Sequence, residues 1–163
     1  MKTDFPDILK RLAEADVNFV IVGGFAGVIY GCTCVTQDLD ICCDFSPDNL
    51  LRLQKALTGL NPVHRMTPGR KKLVLTRDKC AFLKNLYLDT DIGQLDCLSF
   101  INGVGDFQSV KKESMLIEAG NIQLPVLNLD ALIESKKAMK RPRDKEALLQ
   151  LEAIKKLKSQ KHS

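Results

Sequence analysis

Residues 19–43, FVIVGGFAGVIYGCTCVTQDLDICC, decide how this chain is read. Phe19 to Val22 is a continuous apolar run too short for a helix, which predicts a buried strand. Gly23-Gly24 then turns the chain into a short helix from about Phe25 to Tyr30, and Gly31 ends it. A second strand follows from Leu39 to Cys43. Side chains two apart on a strand share a face, so Asp38 and Asp40 project together while Leu39 and Ile41 point into the core. Two carboxylates on one face repel each other unless something positive sits between them, so the pair reads as a divalent-cation site. That one of them merely caps a helix or ends a strand is the blander alternative, and the strand-turn-helix context weighs against it.

Holding two metal ions about 4 Å apart, as phosphoryl and nucleotidyl transfer require, takes a third carboxylate. Asp96 in GQLDCLSF is the best candidate, because Leu95 and Cys97 flank it as buried neighbours and it shows to the opposite face. An acidic side chain in such an apolar run needs a partner or a ligand. Asp89 and Asp91 compete, but Asp89-Thr90-Asp91 followed by Ile92-Gly93 reads as a hairpin turn. Glycines between a strand and a helix let the backbone approach a phosphate, and the helix N-terminus offers free N–H groups. Gly-Gly alone is weak evidence; joined to Asp38-x-Asp40 it becomes specific.

Outward from this core, Phe5, Ile8, Leu9, Leu12 and Ala13 recur at helical spacing, predicting an amphipathic helix from about Asp4 to Ala15. Ser46-Pro47-Asp48 is an N-cap with proline at the first helical position, starting a helix to about Leu57. Strands are expected at Pro62 to Met66, Lys72 to Leu75, Ala81 to Leu88 and Gln94 to Phe100, with a loop from Gly103 to Phe107. Gly120-Asn121 marks a hairpin between extended stretches at Ser114 to Glu118 and Ile122 to Val126. After Pro125 the chain turns helical in two runs split at Arg141-Pro142, with Asp130 or Asn128 capping the first. Tyr87 and Phe82 are expected in the core, and His64 has no role in this scheme.

The whole is 163 residues, which predicts a single domain over 1–163 with a basic C-terminal helix and tail from about 143 to 163. With 45% hydrophobic and 27% charged residues, the balance is that of a folded globular chain rather than a disordered or fibrous one. No apolar run approaches the roughly 20 residues that span a bilayer, and MKTDFPDILKRL has no signal-peptide core, so a cytoplasmic protein with no membrane partner is expected. Cys32, Cys34, Cys42, Cys43, Cys80 and Cys97 lack the spacing of secreted scaffolds and read as buried free thiols. Zinc is disfavoured, because Cys-x-x-Cys pairs are missing and adjacent strand cysteines face opposite ways. The net charge of +4 gathers at Arg65, Arg70, Lys71 and Lys72 and again from Lys136 to Lys161, which could attract a polyanion. No aromatic residues interleave with these basic ones, so stacking platforms for RNA are not apparent.

The pattern apolar-Gly-Gly, short helix, Thr36-x-Asp38-Leu39-Asp40 resembles the DNA polymerase β-type nucleotidyltransferase superfamily. The closing VLNLDALIESKKAMKRPRDKEALLQLE is similar to the last helices of the bacterial abortive-infection (AbiEii-like) nucleotidyltransferases, often toxins of toxin-antitoxin pairs. The likeness runs from Phe19 to about Glu152. It implies an α/β (α+β) minimal nucleotidyltransferase fold, a mixed twisted sheet flanked by helices, with C-terminal helices and the acidic site at one edge. Carried over by position, Asp38, Asp40 and Asp96 would bind Mg²⁺ (or Mn²⁺) and do the catalysis. Gly23, Gly24 and Thr36 would hold the triphosphate, and Lys136 or Lys137, with Arg141 and Asp144, would form the basic motif near the nucleotide. The implied activity moves an NMP from an NTP to a hydroxyl of a protein, a tRNA or a small molecule, within a toxin-antitoxin or phage-defence system with a protein partner. The alternative is a catalytically silent, antitoxin-like binding module on the same fold. Many relatives carry Arg two residues before the Thr, where this chain has Cys34.

Overall fold

The computed structural model describes residues 2–161, so Met1 and the end of the basic tail, 162–163, lie outside the described residues. Helix α1, Phe5–Glu14, starts where the Asp4 side chain accepts from the Asp7 N–H, and it buries Phe5, Ile8, Leu9 and Leu12 along one face. Strand β1, Phe19–Val22, is buried throughout, as its uninterrupted apolar sequence requires. It runs directly into α2, Gly23–Tyr30, which Gly31 closes in the left-handed conformation at φ 115°. Strand β2, Asp38–Cys43, carries the Asp-x-Asp motif. Ser46 caps α3, Pro47–Ala56, by accepting from the Asn49 N–H.

The middle of the chain holds β3, Val63–His64, the single-turn helix α4, Arg77–Cys80, then β4, Asn85–Thr90, and β5, Gly93–Leu98. A small ribbon of β6, Phe100–Ile101, and β7, Gly105–Asp106, leads into α5, Phe107–Lys112. The hairpin β8, Ser114–Ala119, and β9, Ile122–Leu127, precedes α6, Leu129–Ala138, and α7, Pro142–Lys161. Asn128, rather than Asp130, caps α6, accepting from the Ala131 N–H.

Seven strands form one mixed sheet in the order β3-β4-β5-β2-β1-β9-β8. β1 and β2 are antiparallel, β2 and β5 parallel, β4 and β5 antiparallel, and β1 pairs with β9 in parallel. A parallel neighbour needs a crossover, and residues 44–92 supply it for β2 and β5. Helices and sheet enclose one core that includes Ile8, Leu12, Ile21, Leu39, Ile41, Leu53, Leu88, Leu95, Leu132 and Leu151. The expected α/β architecture, with a mixed sheet, flanking helices and C-terminal helices, is therefore present.

Several local expectations differ. The acidic motif is not at an edge of the sheet: β2 lies at its centre, with three strands on either side. Residues 72–75 form no strand; Lys72 makes one isolated bridge to Val63, and the Leu75 N–H is taken by the Gln54 side chain. The strand expected from Ala81 begins only at Asn85, because Thr76 caps a short helix just before it. The stretch read as a loop to Phe107 contains β7, and Asp106 caps α5 by accepting from the Ser109 N–H. Phe82 is not core: it is 87% exposed, at the turn after α4.

Candidate active site

Strand register alone brings the carboxylates together. Asp40 pairs with Val22 on β1 and with Asp96 on β5, and Asp96 faces Tyr87 on β4. Asp38, Asp40 and Asp96 thus share one sheet face, and each offers an oxygen within 4.8 Å of the others. Asp89 and Asp91 do not join them: Asp89 is paired with Arg70, and Asp91 accepts from the Asn61 side chain at 2.6 Å.

The two glycines have a steric reason of their own. A Cβ on Gly23 would lie 2.3 Å from Asp40 Oδ2, and the residue sits at φ +68°, so only glycine lets the carboxylate lie against the start of α2. A Cβ on Gly24 would meet Thr36 Oγ1 at 3.1 Å. Thr36 itself donates its hydroxyl to the Asp38 carbonyl at 2.7 Å, fixing the entry into β2. Two residues earlier, Cys34 Sγ accepts from Gln150 Nε2 at 3.7 Å, while Gln150 Oε1 accepts from the Thr33 N–H at 2.9 Å. The loop before the motif is in this way fastened to α7.

Crowding and burial leave a mark on the acids. Asp40 is pushed up to about 7, first by burial and then by the negative charges of Asp38 and Asp96, with Lys136 pulling the other way. Asp96 is pushed up to about 6 by burial and a hydrogen bond with Asp38, against the opposing Arg65. Oxygen donors crowded in this manner suit a hard divalent cation such as Mg²⁺ or Mn²⁺, which would relieve both the repulsion and the desolvation.

On one flank stands Arg65, which sequence reasoning placed in a basic cluster but not in the site. Its Nη2 donates to Asp96 Oδ1 at 2.7 Å and its Nη1 to the Leu88 carbonyl at 3.1 Å. The only sequence signal was a cation just past β3, whose pairing with β4 nothing in the local pattern reveals. On the other flank, the Asp144 side chain, 1% exposed, binds Lys136 Nζ at 3.4 Å and Arg141 Nε at 2.7 Å. Burial alone would raise the Asp144 pKa, but the Arg141 hydrogen bond and Lys136 hold it below the usual range. Arg141 is raised by that bond and, more weakly, by the charges of Asp144, Asp40 and Asp38. Lys137 is turned elsewhere: it pairs with Glu134 and lines a cavity of about 380 Å³ that includes Gly103, Val104 and Lys155.

All six cysteines are free, with five buried and Cys34 half-buried. No described helix is long and apolar enough to cross a membrane.

Comparison with solved structures bears on this arrangement. ANT(2″)-Ia in complex with adenylyl-2″-tobramycin is 13% identical, with a TM-score of 0.54 over 98% of this chain and 97% of that one. TM1012, a candidate nucleotidyltransferase from Thermotoga maritima, is 16% identical, with a TM-score of 0.52 over 97% of this chain and 88% of that one. JHP933 from Helicobacter pylori is 17% identical, with a TM-score of 0.51 over 88% of this chain and 61% of that one. No protein-family model and no curated protein matches the chain. At these identities the likeness establishes the fold: the chain has the architecture of the nucleotidyltransferases.

Proposed function

We propose that this chain is a metal-dependent nucleotidyltransferase that moves an NMP from an NTP to a hydroxyl acceptor. The observation that carries the reading is the trio Asp38, Asp40 and Asp96, brought within 4.8 Å from two neighbouring parallel strands on a fold shared with nucleotidyltransferases. Mg²⁺ or Mn²⁺ held by these carboxylates would fix the α-phosphate and neutralise charge that grows there.

The chain's own groups supply the rest. Gly23 and Gly24 open the start of α2 to a phosphate, with Thr36 keeping the following strand in register. Lys136, whose charge acts on Asp40, and Arg141, which feels the charges of Asp40 and Asp38, would on this reading offset the charge that gathers on the leaving pyrophosphate. Asp144 reaches the nucleotide only through them, because it is buried between the two cations. As the acceptor oxygen bonds to the α-phosphorus and the bond to the β-phosphate oxygen breaks, the acceptor's proton passes to Asp96. Lys137 contributes least in this scheme, being paired with Glu134 rather than with Asp144.

The acceptor is a protein side chain, a tRNA end or a small alcohol. The adenylyl-tobramycin in the ANT(2″)-Ia structure illustrates the last class. A cytoplasmic setting and a cognate toxin or antitoxin partner belong to the same proposal. One observation favours the second reading, a silent binding module: at Cys34, where the family resemblance leads to an expectation of Arg, the thiol is engaged with Gln150 of α7 and brings no cation to a phosphate.

Calorimetric titration of a non-hydrolysable NTP with Mg²⁺ into wild type and Asp38→Ala/Asp40→Ala protein separates the two. The enzyme reading expects metal-dependent binding that the double variant loses. Absence of binding for all four triphosphates overturns it.

A further inference from the structure

We propose that the Arg65 guanidinium takes the place of a second metal ion, so that the acidic cluster seats a single divalent cation, on Asp38 and Asp40. The inference rests on the nucleotidyltransferase reading and refines its expectation of two ions. Its basis is an asymmetry among the three carboxylates. Asp96 already has a cation of its own: Arg65 Nη2 lies 2.7 Å from Asp96 Oδ1, and the two side chains are 18% and 10% exposed. Among the described residues, neither Asp38 nor Asp40 makes an ion pair, and Lys136, the cation that Asp40 feels, is bonded to Asp144.

Arg65 is also held where it is. Its second guanidinium nitrogen, Nη1, donates to the Leu88 carbonyl at 3.1 Å, and its main-chain N–H to the Tyr87 carbonyl at 2.8 Å. To leave Asp96 it would have to surrender a charge-assisted bond and strand a nearly buried carboxylate, which is costly. The guanidinium keeps its charge at any working pH. A second divalent ion on the remaining Asp96 oxygen would therefore face a fixed cation a few ångströms away in a half-buried site, where screening is weak. One carboxylate with a built-in cation and two without call for one ion from solution. In the transfer step Arg65 would then hold Asp96 in place as the acceptor approaches.

The test is Mn²⁺ alone, titrated into the protein and followed by loss of the free-ion paramagnetic resonance signal. Wild type is expected to bind one ion per chain, and Asp38→Asn/Asp40→Asn to bind none. Arg65→Gln, which keeps hydrogen-bonding capacity without the charge, should gain a second ion at least tenfold tighter than any second ion in wild type. Arg65→Gln/Asp96→Asn should return to one, and Arg65→Lys should stay at one. Asp96→Asn in an otherwise unchanged chain should leave the count at one, which tests the idea even if Arg65 variants fold poorly. Two ions of comparable affinity in wild type, or no gain in a folded Arg65→Gln, overturns the Arg65 assignment while leaving the metal centre standing. Absence of Mn²⁺ binding in wild type, or binding indifferent to Asp38 and Asp40, removes both.

Discussion

With its pKa pushed up to about 7, Asp40 keeps a proton over a range in which an ordinary carboxyl has lost it. A cation that binds there must displace that proton. Mg²⁺ affinity is accordingly expected to rise steadily from about pH 5.5 to about pH 8, with close to one proton released per ion near pH 6.5. Calorimetry in two buffers of different ionisation enthalpy measures this directly. The same shift sets the sign of the stability profile. Between the unfolded value of about 4 and the folded value of about 7, the native state binds a proton that the unfolded chain does not. Metal-free protein should therefore lose stability as pH rises through that window, and Asp40→Asn should flatten the loss in a series of thermal melts. Gly23 offers a steric counterpart. Replacing it with Ala puts a Cβ on top of Asp40 Oδ2 at a positive φ, so a cost of about 1–3 kcal/mol in urea unfolding is expected together with loss of metal binding.

Helices α6 and α7 are tied together through one buried carboxylate. Asp144 sits on α7 and binds Lys136 of α6 as well as Arg141 in the connection between them. Asp144→Ala leaves those cations without their partner and is expected to cost about 3 kcal/mol or more in urea unfolding, and to weaken nucleotide binding through loss of Lys136 placement. Lys137→Ala, on the exposed side of the same helix, should change stability by less than about 0.5 kcal/mol. The difference between adjacent lysines was not legible in the sequence, since KK at the end of a helix gives no sign of which one faces the partner helix. Elements with local punctuation were legible: Ser46 and Gly31 start or stop helices where their chemistry says they should. The Asp-x-Asp strand and the Asp96 strand were legible too, because polar residues in apolar runs stand out. The single-turn helix α4 and the six-residue α5 were not, having too few residues for a periodic pattern. Arg65 escaped for a different reason: its role depends on a long-range strand pairing, which no local window contains.

Across the molecule, the site depends on that kind of pairing throughout. β2 and β5 are parallel neighbours at the middle of the sheet, separated in sequence by the 44–92 excursion that also delivers β3, with Arg65 just beyond it, and β4. Mg²⁺ should stabilise the folded chain, which holds Asp38 and Asp40 together on one face of β2. At roughly a hundredfold above its dissociation constant it is expected to add about 2.7 kcal/mol at neutral pH, seen as a rise in melting temperature that Asp38→Asn/Asp40→Asn abolishes. Contacts of such long sequence separation form late and slowly. The register of two central strands thus acts as a clock as well as a scaffold: during refolding, helices and hairpins can form before β2 and β5 meet and Asp96 joins Asp38 and Asp40. Because Asp38 and Asp40 both lie on β2, the moment at which Mn²⁺ first disappears from solution would mark the setting of that strand against β1 and the start of α2, an event separable from closure onto β5.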